Sequence, residues 1–202
     1  MKIEKLVVGQ LQTNCYLVWD EKSKEAVIID PGDDAGFIIN KIQDYQLRPK
    51  LILATHGHFD HVLATTELKL AFGIPFLMHQ ADLPILKRIQ STTKYFLGRE
   101  ADPAPKVDKF LKGGEQVDFG KESLKVIETP GHSPGGVAFY APGILFSGDT
   151  LFKQGVGRTD LAYSSTAQLN NSLKKLFQLP EKTVVYPGHG PKTTINAAEP
   201  LA

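Results

Sequence analysis

The sequence predicts a mixed α/β fold built as two similar halves. Three observations carry this. Short runs rich in Val, Ile, Leu and Tyr alternate with segments of helical periodicity. The strand and helix order repeats, with the halves meeting near residue 112. Gly, Pro and Asp punctuate the junctions.

In chain order, residues 1–9, 13–19 and 26–29 read as strands, broken by Gly9-Gln10, Asp20-Glu21 and Asp30-Pro31-Gly32. Residues 34–45 carry Phe37, Ile38, Ile42 and Tyr45 at helical spacing. Residues 51–54 form a short apolar strand. Residues 60–72 suit a helix stopped by Gly73. A strand at 74–78 and a helix at 81–90 follow. Residues 91–114 hold Gly98, Pro103, Pro105, Gly113 and Gly114, and read as a long, partly irregular excursion. Strands resume at 115–119, 123–128, 136–140 and 144–147. Residues 165–178 place Leu169, Leu173, Leu176 and Phe177 on one stripe, and Pro180 ends that helix. Residues 183–186 are the last strand.

The chain has 202 residues, a length that fits one domain spanning 1–202. Lys and Arg total 23 against 22 Asp and Glu, a formal net charge of +1. That balance gives no bulk attraction to nucleic acid or to an anionic membrane. A single cysteine excludes an internal disulfide and fits a reducing compartment. The N-terminus shows no apolar signal region, and no run is long enough to span a bilayer. The expected location is therefore cytoplasmic.

The strongest chemical signal is Thr55-His56-Gly57-His58-Phe59-Asp60-His61, directly after the 51–54 strand. Residues two apart in an extended segment share a face, so His56 and His58 can aim at one point. A turn into the next helix brings Asp60 and His61 to a neighbouring point. Three further strands end in a glycine turn and a potential ligand: Pro130-Gly131-His132, Ser147-Gly148-Asp149 and Pro187-Gly188-His189. Five histidines and two aspartates exceed the needs of one four-coordinate zinc. They suit two metals sharing a carboxylate, about 3.5–4 Å apart. Zinc is the first expectation, with iron and manganese open on ligand chemistry. Cys15 reads as a small buried hydrophobe, His79 as structural, and Asp30 as a support to the ligands or a turn former.

The motif His56-x-His58-x-Asp60-His61, followed by His132, Asp149 and His189, resembles the metallo-β-lactamase superfamily over most of the chain. The resemblance implies a four-layer αββα sandwich with metals at one edge. It implies His56, His58 and His132 on one metal, Asp60, His61 and His189 on the other, and Asp149 bridging them. Gly148-Asp149-Thr150-Leu151-Phe152, Gly155-Val156-Gly157-Arg158-Thr159-Asp160 and Tyr186-Pro187-Gly188-His189-Gly190-Pro191 are similar to the glyoxalase II group of thioester hydrolases, in its short bacterial form. Pro191 stands where that group has tyrosine, and Arg158 where it has lysine. A short tail follows His189, with no room for the helical domain that helps the two-domain members hold glutathione.

The function implied is hydrolysis of a small-molecule thioester, such as a hydroxyacylglutathione, by a hydroxide bridging two divalent metals, with Asp60 and Asp149 in catalytic roles. Arg158 is the candidate for a substrate carboxylate, with an Asp160 ion pair as the alternative. Tyr95, Phe96 and the loop 91–112 are candidates to roof the site. The rival readings are a persulfide dioxygenase with one iron, and a lactonase or β-lactamase. No nucleic-acid or membrane partner is expected, and the oligomeric state is open.

Overall fold

A computed structural model describes residues 1–198. Twelve strands form two six-stranded sheets, each from one half of the chain. The first sheet is ordered β1 (Lys2–Val8), β2 (Thr13–Trp19), β3 (Glu25–Ile29), β4 (Arg48–Leu53), β5 (Phe76–His79) and β6 (Lys109–Leu111). Its first three strands are antiparallel and β3 to β6 run parallel. The second sheet holds β7 (Gln116–Phe119), β8 (Glu122–Glu128), β9 (Val137–Ala141), β10 (Ile144–Gly148), β11 (Val184–Pro187) and β12 (Thr193–Thr194). There β10 and β11 pair in parallel and the other neighbours are antiparallel.

Alternation along the strands makes the layers. Tyr16 and Val18 of β2, with Val27, Ile29 and Leu53, meet Val126, Phe139 and Phe146 of the second sheet in the central core. Cys15, Leu17 and Trp19 face the other way, against Ile38 and Ile42 of helix α1 (Ala35–Asp44) and Leu68 of α2 (Thr65–Phe72). Leu145 and Val185 pack under Leu169, Leu173 and Leu176 of α5 (Thr166–Leu176). The result is an αββα sandwich. Cys15 sits in the core as expected, and burial pushes its thiol pKa well up.

Four sequence expectations are corrected. The 60–72 helix begins only at Thr65. Phe59–His61 is a single 3-10 turn, and Ala64 donates its N–H to the Pro31 carbonyl instead of continuing upstream. The 81–90 helix divides into a 3-10 turn at Gln80–Asp82, α3 (Leu83–Leu86) and the start of α4 (Ile89–Leu97). The 91–114 excursion is therefore helical at first, and later supplies β6 to the edge of the first sheet. Finally, β4 starts at Arg48 rather than residue 51. Pro49 fits because the β3–β4 register shifts beside its partner Ala26.

Candidate metal centre

All seven expected ligands converge where strand ends from both sheets meet. His56 and His58 follow β4, with Asp60 and His61 in the 3-10 turn beyond. His132 follows β8, Asp149 follows β10 and His189 follows β11. Three overlapping groups present ligand atoms within 4.8 Å of one another: His56, His58 and His132; His56, His61 and Asp149; Asp60, His61 and His189.

Asp149 spans the groups with different oxygens. Its Oδ1 lies 3.6 Å from His61 Nε2, and its Oδ2 lies 3.7 Å from His132 Nε2 and 3.6 Å from His189 Nε2. Asp60 Oδ2 lies 3.3 Å from His189 Nε2 and 3.6 Å from His61 Nε2.

Glycine makes the approach possible. A Cβ on Gly188 would lie 2.2 Å from Asp149 Oδ1 and 2.8 Å from His61 Cε1. Gly148 takes a left-handed φ of 50°, and a Cβ there would strike Thr55. Asn14 fixes the last ligand loop to the first sheet. Its side-chain amide donates to the carbonyls of Pro187 and Gly190, and its backbone N–H donates to Gly188.

The far ring nitrogens are anchored, so the near ones point inward. His61 Nδ1 lies 3.0 Å from Asp30 Oδ2, and Asp30 also accepts from the Thr55 N–H and hydroxyl at 2.7 Å each. His132 Nδ1 bonds the Arg158 carbonyl at 2.9 Å, and His189 Nδ1 the Leu11 carbonyl at 3.1 Å. His56 Nδ1 meets the Thr55 hydroxyl at 3.1 Å. His58 instead turns Nδ1 inward, 3.0 Å from His132 Nε2.

Asp82 joins two ligand loops, a role that the sequence, in which it falls only within the expected 81–90 helix, did not show. Buried, it accepts from Gly57 N–H at 2.8 Å, the Ser133 hydroxyl at 2.7 Å and Gly135 N–H at 2.5 Å. Burial holds its carboxyl above the usual range despite those three bonds. His79 lies outside the clusters, 3.6 Å from Glu128.

The residues fit metal ions on their own structural terms. His56 Nε2, His61 Nε2 and Asp149 Oδ1 are buried with no hydrogen-bond partner among the described residues. Buried polar atoms without partners are costly, so three aimed at one space call for an occupant that accepts lone pairs. Burial and neighbouring imidazoles push His56 well down in pKa and His58 to about 3, keeping both neutral and able to bind. Burial also opposes charge on His61, but Asp60, Asp149 and Asp30 prevail and hold its imidazole up at about 10. Burial opposes charge on His189 as well, and the Asp60 hydrogen bond leads the groups that raise it.

The family profile described as the Metallo-beta-lactamase superfamily matches residues 8–189. The chain belongs to that superfamily. Hydroxyacylglutathione hydrolase GloC of Haemophilus influenzae is 34% identical, over 96% of this chain and 93% of its own. BLEG-1 B3 metallo-beta-lactamase superposes with a TM-score of 0.90 at 38% identity, covering 97% of this chain and 95% of that one. TTHA1623, solved in a di-iron-bound form, gives 0.89 at 40% identity, covering 96% of each chain. This protein is thus a metallo-hydrolase of the superfamily, with a paired His/Asp centre.

A cavity of about 670 Å³ opens above the centre. His58, Asp60, His132, Asp149 and His189 form its floor, and Tyr95 and Phe96 line it from α4. Phe96 stacks on Phe59 with ring centroids 5.7 Å apart. Arg158 also lines the cavity, but its guanidinium is committed to Asp160 through two hydrogen bonds of 2.7 Å. Leu11, Arg88 and Tyr163 are also among the lining residues. Sequence reading did not single them out, because only the folded chain brings them together. Among the described residues, no helix is long and apolar enough to cross a membrane.

Proposed function

We propose that this chain is a binuclear-metal thioester hydrolase of the hydroxyacylglutathione hydrolase type. The observation that carries the reading is the trio of buried, unpartnered atoms on His56, His61 and Asp149 at the meeting point of the three ligand clusters. His56, His58 and His132 would hold one divalent cation, and Asp60, His61 and His189 the other, with Asp149 shared. Zinc or iron suits this imidazole and carboxylate set. Cations so held lower the pKa of water toward about 7 and polarise a carbonyl.

The chain's own groups do the rest. Asp60 and Asp149 face the floor of the cavity and orient the attacking water through their carboxylate oxygens. Asp30 and the Arg158 and Leu11 carbonyls keep His61, His132 and His189 in fixed orientations through the reaction. Tyr95 and Phe96 give the wall of the cavity an apolar surface beside the centre. Among the described residues, no carboxyl outside the ligand set lines the cavity to protonate a leaving group. A thiolate, from a thiol of pKa about 8.5, departs with little need for one. The similarity to GloC supports the same choice.

The test is metal content by elemental analysis beside a thioester panel that includes S-lactoylglutathione. Two metals per chain and turnover abolished by chelation are expected, without oxygen consumption. A metal-loaded preparation inert across the panel overturns the reading. The similarity to BLEG-1 favours β-lactam hydrolysis as the second reading, and a β-lactam panel run in parallel distinguishes it.

A further inference from the structure

The upper walls of the cavity have a chemistry that the hydrolytic step does not use. Arg88, Ser91, Thr92, Tyr95 and Phe96 lie at helical spacing on and just before α4, so they form one face over the centre. Eight large hydrophobic side chains are exposed on the described surface, and four of them, Leu11, Tyr95, Phe96 and Tyr163, line this one opening. Apolar surface gathered in this way marks a binding site. Tyr163 also holds a left-handed backbone, φ 71°, which bulky residues rarely adopt and which tends to persist at functional positions.

The arginines of the chain are not equivalent. Arg158 is engaged by Asp160, Arg99 by Asp33, and Arg48 by the Ser23 carbonyl. Arg88 is exposed and lines the cavity, and it has no ion pair and no side-chain hydrogen bond among the described residues. A planar guanidinium left free beside an apolar wall matches an oxyanion at the end of an apolar group. A cavity of this size accepts a ligand large enough to reach both the floor and the wall.

We propose that Arg88 anchors the substrate by its charge and that the substrate is an amphiphilic acid. Its reactive carbonyl sits at the His/Asp floor, its apolar segment lies between Tyr95, Phe96 and Tyr163, and its carboxylate or phosphate ends on Arg88. The identity of the reacting group rests on the thioester reading; the recognition of the two ends does not.

The test therefore measures binding rather than turnover. Phenylhexanoate, phenylhexanamide and phenylhexyl phosphate are titrated calorimetrically into the metal-loaded protein, its Arg88→Met variant and an Arg48→Met control. Arg88→Met removes the charge and keeps an apolar stem. Wild type is expected to bind at least one of the two anions about fivefold or more tighter than the amide, the range for a charged hydrogen bond at a partly exposed site. That preference should vanish in Arg88→Met and persist in Arg48→Met, and the anion preferred identifies the headgroup. No preference in wild type overturns the proposal. So does a preference that survives Arg88→Met, since the anion would then be held by the metals or by another group. An inert thioester panel would leave this result standing, and a failed titration would leave the thioester result standing.

Discussion

Asp149 reaches His61 through one carboxylate oxygen and both His132 and His189 through the other, so it is the side chain whose loss should uncouple the centre. Truncating it removes the carboxylate proposed to be shared by the two cations and opens the space that Gly188 was needed to leave. Asp149→Ala should therefore lose at least one metal per chain and lower kcat by about a hundredfold or more, at or beyond the upper end for a lost supporting partner. His79→Ala, outside the clusters, should keep its full metal content. Elemental analysis of dialysed protein reads both. Two metals retained by the aspartate variant would remove it from the ligand set. The seven side chains were legible because their signals are local: four lie in one run directly after a strand, and His132, Asp149 and His189 each follow an apolar strand and a glycine turn. Arg88, Tyr163 and Leu11 were not legible, because each matters only through neighbours far away in the sequence.

At the scale of elements, the precision of the centre depends on loops from both sheets holding one another. Asp82, in the turn after β5, is the clearest clamp, binding the His56–His58 loop and the loop after His132 at once. Asp82→Asn keeps the size but turns one acceptor into a donor facing N–H and O–H groups. The expected cost is about 1–3 kcal/mol of stability, as for a buried group left unsatisfied. It should also weaken binding of a cation added at His58 and His132. Urea denaturation and competition against a chelator measure the two effects. An unchanged unfolding midpoint would mean that the clamp is not needed. The clamp was hidden because its donors come from segments 25 and 51–53 residues away. Helix α4 was hidden for a different reason. It buries Ile89 and Thr93 in the body and turns Tyr95 and Phe96 to the cavity, so no continuous apolar stripe marks it among the flanking glycine and prolines. The main strands were legible because alternate residues feed two separate cores, which leaves runs such as β2 buried on both faces.

For the whole molecule, the metal-free centre ties stability to pH in two opposite ways. His58 has its pKa depressed from 6.5 to about 3 by burial and His132, so between those values the unfolded chain binds the extra proton. Its contribution is complete above about 6.5 and is lost as pH falls toward 3. His61 is raised to about 10 against burial by Asp60, Asp149 and Asp30, so the native chain holds the extra proton. That contribution is complete below 6.5 and is lost as pH rises through 10. On these two groups, metal-free protein should be most stable near pH 6.5 and weaken on both sides. A cation at His61 needs the neutral imidazole and must displace its proton, so binding should strengthen as pH rises. The gain in Tm on adding metal should therefore grow steadily from pH 6.5 toward 10. Calorimetric scans of chelated and metal-loaded protein across that range test this directly. A gain that stays flat or shrinks with pH would mean that no proton leaves His61 when metal binds, and that the centre is organised around a different set of nitrogens.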